Sequence, residues 1–473
     1  MNIKIENSKN VKTTKMDAYI NWFTKWVPES FFICLALTIL CSVLAMILCK
    51  TPFWSMKPGT VNIVDSWVGG FWGLLAFTMQ MTLLLVTGNA VAASPPAKRV
   101  LSKIASIPKN AVQVVIVGAV GAAVLGYIHW GIGMMGGIML GRELLASAKK
   151  RGIKVHKATL VTAIFLSFMP GSAGISGAAA LYAATPGYLK NLVADQYKNL
   201  TPNTISLSQS VANPAFIVTL ILGVVVCTSI CLIMAPKKDD KIEEISDKFM
   251  NEVLNNDDDF KFDRSTPALK MNNSRMIMYI FGGIGLIWSV FNLAKVGLDG
   301  LTLNNYNFLM LSLGMILCGN PELFCKNIRE GLMGTWGFVI QFPFYAGIFG
   351  IISSTGLGVV IAHFFISISN GKTFPIIAYI YSAILNIAVP SGGSKFVIEA
   401  PYIIPASIET GANLPAVISA YQLGDGTTNV IIPFFALPYL ANFDLKFNKV
   451  IPYSLIAAVA VFVVNCLMLY FIV

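Results

Sequence analysis

The chain has 473 residues, of which 55% are apolar and only 12% are charged, whereas roughly 25% of an average soluble protein is charged. This composition excludes a soluble globular enzyme, a disordered chain and a small disulfide scaffold. Long unbroken apolar runs also argue against a transmembrane β-barrel, whose strands alternate. We therefore predict an all-α polytopic membrane protein. The net charge of +11 fits basic cytoplasmic loops, and no aromatic–basic alternation points to nucleic acid.

Cysteine and histidine usage gives no sign of a metal centre, a cofactor or a disulfide framework. Eight cysteines lie within or at the ends of apolar runs, none in a Cys-x-x-Cys pair, and the chain has three histidines. We interpret the cysteines as small packing residues. The first apolar run, 31–48, is long enough to span and has no small-residue cleavage site after it, which predicts a retained helix.

The apolar pattern predicts nine crossings and two re-entrant hairpins. The hairpins are 111–148 and 374–409, each too long for one span and interrupted by Gly or Pro near its middle. Such breaks occur at membrane depth only where protein or a polar cavity satisfies the backbone. The predicted crossings are 29–49, 67–90, 157–185 (broken), 214–235, 275–294, 305–319, 335–354, 414–441 (broken) and 449–471.

The distribution of basic residues predicts the orientation. With residues 1–28 inside as a cytoplasmic segment, inner segments carry 27 Lys and Arg and outer segments carry six, as the positive-inside rule requires. The remaining one is Lys395, within the second hairpin. The polar stretch 236–273 is then a charged cytoplasmic linker.

Similar segments recur in the two halves of the chain. Gly70-Phe71-Trp72-Gly73-Leu74 is similar to Gly334-Thr335-Trp336-Gly337-Phe338, and a hairpin and a broken helix follow each. Four crossings per half plus one connecting helix invert the second copy, which is typical of alternating-access transporters. The predicted units are 29–235 (hairpin 111–148, broken helix 157–185), a connecting transmembrane helix at 274–295, and 305–473 (hairpin 374–409, broken helix 414–441).

The interruptions predicted at 129–131, 170–177, 390–393 and 424–429 should converge on one site near the midplane. The glycines of 390–394 allow a ligand to approach the backbone, and helix N-termini predicted near Lys395 and near 427–429 suit a carboxylate. Free carbonyl and side-chain oxygens suit a hard cation such as Na⁺. The candidate substrate-binding residues are Trp130, Ser176, Ser391, Gly392, Gly393, Ser394, Lys395, Thr427 and Thr428, and the candidate cation-coupling residues are Ser172, Gly174, Asp425 and Asn429.

Ionisable residues inside a membrane indicate function by default, and several roles stay open here. Lys395 either binds a substrate carboxylate or pairs with Glu399 or Asp425. Asp425 either holds a proton or a cation, or caps a helix. His129 is either a packing residue or a proton ligand. With one cation and no Arg nearby, a single carboxylate with a short apolar tail fits best. The aromatic residues available to line its pocket are Phe71, Trp72, Trp130, Trp336, Phe342 and Phe396.

A set of short motifs recurs in a fixed order along the chain: Gly70 to Met81, Ala93-Ser94-Pro95, His129-Trp130-Gly131, Gly174-Ile175-Ser176-Gly177, Val389 to Gly393, Gly424-Asp425, Thr428-Asn429, Pro433-Phe434 and Ala436-Leu437-Pro438. From about Asp17 to the end, except for the linker, the sequence thereby resembles the short-chain fatty acid transporter family of elevator-type carriers. The resemblance implies uptake of butyrate- or acetoacetate-like acids, coupled to Na⁺ or H⁺, by a homodimer in the bacterial cytoplasmic (inner) membrane.

Other functions remain as alternatives. A related carrier could take dicarboxylates, amino acids or peptides. Gly174 to Gly177 matches the Gly-x-Ser-Gly of rhomboid serine proteases, with His129 or His363 as a base, but a duplicated inverted unit has no role in a Ser–His dyad. A channel is disfavoured because no filter-like ring of carbonyls or charges is visible.

Overall fold

The computed structural model describes residues 30–236, 264–333 and 335–471, together with Lys25 and Pro28. The cytoplasmic segment predicted for 1–28 lies outside these residues except for those two positions. So does most of the predicted linker, at 237–263, and so does Gly334 of the repeated motif. Every regular element in the described ranges is helical, which confirms the all-α prediction.

Eleven of these helices precede the linker. They are α1 (Ser30–Leu48), α2 (Ile63–Phe71), α3 (Leu75–Ala92), α4 (Pro95–Ala105), α5 (Ala111–Ile128), α6 (Trp130–Lys150), α7 (Lys157–Gly171), α8 (Ala178–Ala184), α9 (Tyr188–Asn191), α10 (Asp195–Lys198) and α11 (Pro214–Met234).

Eleven more follow the linker. They are α12 (Pro267–Asn272), α13 (Arg275–Val296), α14 (Leu303–Cys318), α15 (Pro321–Leu332), α16 (Trp336–Ser354), α17 (Leu357–Ser367), α18 (Phe374–Ala388), α19 (Gly392–Thr410), α20 (Leu414–Asn429), α21 (Pro433–Phe443) and α22 (Ile451–Phe471). Short 3₁₀ turns cover Gly297–Gly300 and Phe447–Lys449.

Six helices in the described ranges are long and apolar enough to cross a membrane by themselves. A seventh span arises if Val339–Ser354 and Leu357–Ser367, which meet at 75°, count as one bent pair. Other predicted crossings fail this test because their helices are short or interrupted; for example, 305–319 corresponds to α14, which has only 16 residues. The six helices that pass the test by themselves are Phe31–Leu48, Leu75–Ala92, Ala111–Ile128, Pro214–Met234, Pro267–Gly300 and Ile451–Phe471.

The first hairpin consists of α5 and α6, which are joined by the single residue His129. A Cβ on Gly133 would lie 2.3 Å from Gly126 Cα, and one on Gly137 would lie 3.3 Å from Ala122 Cβ. As the residue number rises along α6, the number of the contacting residue on α5 falls, so the two arms are antiparallel. Small residues at the contact let the two backbones approach closely, as in other membrane helix pairs.

The second hairpin consists of α18 and α19, joined through 389–391. Its arms are also antiparallel, because the Tyr381 and Tyr402 hydroxyls are 2.9 Å apart while Lys395 Nζ donates to Ser382 nearer the tip. Long side chains fill this interface, unlike the glycine interface of the first hairpin. The two hairpins therefore share an architecture but not a packing chemistry.

Each hairpin packs its first arm parallel to the following helix. In the first half, Gly118 lies against Leu160 and Gly126 against Phe168. In the second half, Ser382 donates to Tyr421 O and Asn386 to Thr428 Oγ1. Residue numbers rise in the same direction along α5 and α7, and likewise along α18 and α20, so the two helices of each pair are parallel. The pairs α5–α7 and α18–α20 are therefore equivalent units of one repeated fold.

The two units run in opposite directions. Gln422 Nε2 donates to Ala173 O at 3.1 Å, and a Cβ on Gly426 would lie 3.0 Å from Met169 O. As the residue number rises along α20, the number of the contacting residue in the first unit falls, so α20 and α7 are antiparallel. This contact confirms the inverted repeat that the sequence predicts.

The second broken helix is interrupted later than the sequence predicts. The break was expected at 424–429, but α20 continues through Asn429 and the interruption is at 430–432. Gly424 serves close packing instead, since a Cβ there would lie 2.5 Å from Tyr379 O. Pro433 begins α21, because proline suits a first helical turn but not a helix interior. Residues 427–429 thus form a helix C-terminus, and the anion-attracting N-terminus predicted there is wrong.

Cysteine labelling can test the orientation of the two hairpins. With the eight native cysteines replaced, Lys150→Cys at the exposed end of α6 should react with an impermeant thiol reagent only from the cytoplasmic side. Glu409→Cys, exposed near the end of α19, should react only from the outer side, because the copies are inverted. Labelling of both positions from one side would contradict this topology.

Candidate substrate and cation site

Both hairpin tips lie against the first interrupted helix. Trp130 N, at the first tip, donates to Ser176 Oγ in the first interruption at 2.8 Å. At the second tip, a Cβ on Gly393 would lie 3.2 Å from Ala178 Cβ. Gln422 links α20 to the same interruption through Ala173 O. Residues from both repeats therefore surround one region.

Lys395 is the central charge of this region. It lies in the first turn of α19 and is fully buried. Its Nζ donates to Ser382 O at 2.9 Å and to Ser382 Oγ at 2.8 Å, and lies 2.5 Å from Asp425 Oδ1. An ammonium group has three donors, so all three have partners.

The Lys395–Asp425 contact decides between the pairings left open by the sequence. Glu399 is four residues from Lys395 on the same helix, yet neither of its carboxyl oxygens has a hydrogen-bond partner among the described residues. The alternative of a Lys395–Glu399 pair is therefore wrong. Helical spacing permits an i, i+4 contact, but the Lys395 side chain instead reaches Asp425 on α20.

The backbone of the second tip shapes the site around this ion pair. Tyr421 donates from its hydroxyl to Gly392 O at 2.9 Å, and its ring centroid is 4.7 Å from Lys395 Nζ. A Cβ on Gly392 would lie 2.3 Å from Asp425 Oδ2. Glycine at 392 therefore allows the carboxylate to approach the start of α19. The neighbouring Ser394 hydroxyl donates to Ser391 Oγ at 2.8 Å.

A second polar group lies at the end of α20. Asn386 Nδ2 donates to Asn429 Oδ1 at 2.6 Å, to Thr428 Oγ1 at 3.0 Å and to Asp425 O at 3.2 Å. These contacts bring the side chains of Thr428 and Asn429 into one oxygen-rich group with the backbone carbonyl of Asp425, and all three residues are among those predicted for the site. Asn386 and Ser382 were not among the residues predicted from the sequence, although the available signal was that each is a polar residue in an apolar run.

Three other residues that were predicted to bind the substrate or the cation have contacts within the protein that account for their positions without a ligand. Thr427 Oγ1 lies 2.9 Å from the Tyr379 hydroxyl and accepts from Asn465 Nδ2 at 3.2 Å. It therefore joins α20 to α18 and α22 and is not part of the Lys395 cluster. Ser172 donates to Met169 O at 2.7 Å. Gly174 allows close packing, because a Cβ there would lie 2.3 Å from Tyr127 O.

Aromatic side chains pack beside the second tip. A Cβ on Gly393 would lie 2.9 Å from Phe77 Cζ. The Phe77 ring stacks on Tyr182 with centroids 4.3 Å apart and on Phe342 at 5.5 Å, and Phe396 lies 5.1 Å from Tyr421. Two of the aromatics available from sequence, Phe342 and Phe396, thus border the site. In contrast, Phe71 and Trp72 pack against each other, and the Trp72 side chain is exposed.

The hydrogen bonds around Ser176 do not form a serine–histidine dyad. Ser176 Oγ accepts from Trp130 N. His129 Nδ1 accepts from Gly131 N and Ile132 N and so caps α6. His363 lies exposed on α17. The Trp130–Ser176 contact holds the first hairpin tip against the interrupted helix, whereas His129 only caps α6. The protease alternative finds no support in these contacts.

Two inverted repeats with re-entrant hairpins and interrupted helices are the architecture of polytopic transport proteins. Comparison with known proteins identifies the family, because a profile described as "Short chain fatty acid transporter" matches residues 13–472. The chain belongs to the short-chain fatty acid transporter family.

Similar proteins cover almost the whole chain. A Haemophilus influenzae protein is 33% identical over 451 residues, covering 95% of this chain and 97% of its own. An Escherichia coli K12 protein is 32% identical over 434 residues, covering 92% and 94%. Both carry the name "Putative short-chain fatty acid transporter".

Two solved structures share the fold. The YdaH transporter of Alcanivorax borkumensis matches with a TM-score of 0.60 at 14% identity, covering 94% of this chain and 98% of YdaH. MtrF of Neisseria gonorrhoeae, described as illuminating a class of antimetabolite efflux pumps, matches with a TM-score of 0.59 at 16% identity, covering 95% and 97%. At these identities the likeness concerns architecture.

Proposed function

We propose that this protein is a cation-coupled secondary transporter of short-chain fatty acids or similar small monocarboxylates, of the butyrate and acetoacetate class. The observation that carries the proposal is the buried Lys395–Asp425 ion pair at the second hairpin tip, beside residues of both repeats. One buried cation matches one substrate carboxylate. A dicarboxylate would need a second positive group.

Substrate binding requires a change of partners at Lys395. Its three donors are occupied by Ser382 and Asp425, so an incoming carboxylate must replace one acceptor. The Ser382 contacts belong to the packing of α18 on α19, whereas 17% of the surface of the Asp425 side chain is exposed. The substrate carboxylate therefore takes the place of the Asp425 carboxylate, and the free N–H groups at the start of α19 add stabilisation.

This exchange links the substrate to a cation. Once displaced, Asp425 is an unpaired carboxylate in a poorly solvated region, which is costly. A Na⁺ ion or a proton on Asp425 removes that charge. The oxygens of Thr428 and Asn429, which Asn386 gathers, lie next to Asp425 in sequence and are the candidate additional Na⁺ ligands.

The aromatic group beside Gly393 sets the size of the substrate tail. Phe77, Tyr182, Phe342 and Phe396 form a packed apolar surface there. A tail of a few carbons fits against such a surface by displacing little of this packing, whereas a long chain would have to open it. In this proposal the protein is a homodimer in the bacterial cytoplasmic membrane, and one body containing both hairpins moves as an elevator.

Uptake into proteoliposomes tests the proposed function. We expect the purified protein to accumulate labelled butyrate or acetoacetate under an imposed Na⁺ or pH gradient, with a decline for hexanoate and longer acids. Liposomes without protein are the control, and succinate, alanine and a dipeptide should compete weakly. Strong competition by succinate or the dipeptide, with none by butyrate, would overturn the substrate assignment.

A further inference from the structure

Glu399 is a buried acid that the transport cycle described above does not use. Its side chain is completely buried on α19, and neither carboxyl oxygen has a hydrogen-bond partner among the described residues. It is also absent from the ion pair that Lys395 forms with Asp425. A carboxylate without donors or a paired cation loses its solvation on burial, and protonation removes most of this penalty.

The charges around Glu399 give its protonation a consequence. The groups that act on it electrostatically are Lys395, one turn earlier on α19, and Asp425 on α20. With Glu399 neutral, Lys395 and Asp425 balance each other. With Glu399 ionised, the cluster contains two carboxylates for one ammonium group, and it repels the carboxylate of the substrate.

The remaining titratable neighbours are phenols and do not supply a second cation. Tyr381 on α18, Tyr402 on α19 and Tyr421 on α20 each interact electrostatically with Glu399. Their hydroxyls are engaged elsewhere, since Tyr381 and Tyr402 contact each other and Tyr421 donates to Gly392 O. The other elements packed on α19 carry Tyr182 on α8, Tyr345 on α16 and the exposed His363 on α17, and none of these hydrogen-bonds to Glu399.

We propose that Glu399 is a proton-binding site whose occupancy is linked to binding of the substrate anion at Lys395. Resting on the function proposed above, the inference adds a site distinct from Asp425. A proton on Glu399 keeps Lys395 available to a substrate carboxylate, and loss of that proton lets Glu399 compete for the same ammonium. Because linkage is reciprocal, the bound substrate anion in turn favours the proton on Glu399.

Exchange kinetics at equal pH on both membrane faces test this linkage without a driving gradient. For the unaltered protein, the KM for butyrate exchange should rise at alkaline pH, approaching tenfold per pH unit for one linked proton. Glu399→Gln, which resembles the neutral acid, should lose one proton's share of this rise and retain only the part that a proton on Asp425 causes. Glu409→Gln, an exposed carboxylate on the same helix, is the matched control and should follow the unaltered protein.

Infrared spectroscopy gives a second reading that needs no transport. The unaltered protein at neutral pH should show the carbonyl band of a buried neutral carboxylic acid, which Glu399→Gln removes and Glu409→Gln retains. Absence of that band, or an unchanged alkaline rise of KM in Glu399→Gln, would overturn the inference. Failure of the unaltered protein to exchange any monocarboxylate would instead overturn the proposed function, while the infrared band would still report on Glu399.

Discussion

Asp425→Asn is expected to abolish gradient-driven accumulation of the substrate while substrate exchange survives in the protein that folds. The amide keeps the size of the side chain but can neither neutralise Lys395 nor hold a proton. Lys395 then remains fully buried among neutral partners, with no countercharge. Leaving a buried charge without its partner costs on the order of 3–5 kcal/mol, so the amount of folded protein should also fall.

A second substitution separates these two effects. Lys395→Met in the Asp425→Asn background removes the unpaired cation and should restore the folded amount, measured by size-exclusion chromatography in detergent. It should not restore accumulation, because the cation-coupling carboxylate is still absent. Recovery of both by the double variant would show that Asp425 only pairs with Lys395. Asp195→Asn, in the exposed Asp195–Lys198 pair, should change neither property and is the control.

Gly133→Ala is expected to prevent correct packing of the first hairpin. The added methyl group would lie 2.3 Å from Gly126 Cα and 2.5 Å from Gly126 N, and backbone atoms cannot move aside as a flexible side chain can. Overpacking typically costs about 1–3 kcal/mol, and we expect the upper end here. The separated arms would also displace Trp130 from Ser176, so both thermal stability and transport should fall.

Gly283→Ala is the matched control for this prediction. Gly283 lies within the apolar helix α13, and a Cβ there would meet nothing within 4 Å. The same substitution should therefore leave the melting temperature in detergent unchanged or slightly raised, because alanine is the better helix former. Equal stability of the two variants would contradict the close approach of the hairpin arms.

The sequence by itself determined the helical class, the hairpins and the duplication. Apolar runs need no tertiary context, because a lipid-embedded chain must satisfy its backbone internally. Gly and Pro in apolar runs marked where helices would be interrupted, as at 172–177 and 389–391. The positive-inside count predicts an orientation, which the labelling experiment can test.

Where the second broken helix ends could not be read from the sequence. Gly424 looked like a helix breaker, but glycine is also what allows two helices to pack closely. Only the position of Tyr379 O on α18 shows that Gly424 serves packing, so that α20 continues to Asn429. The proline at 433 was the better signal for the end of that helix.

The partners of the charged residues were decided by the tertiary structure. Local spacing favours a contact between Lys395 and Glu399, one helical turn apart. The partner that Lys395 takes, Asp425, is 30 positions away in the sequence and reaches it only because α20 packs beside the second hairpin. Side-chain pairing depends on which helices become neighbours, and a one-dimensional pattern does not contain that information. For the same reason, Glu399 is identified as a buried acid without a partner only once the helices are assembled.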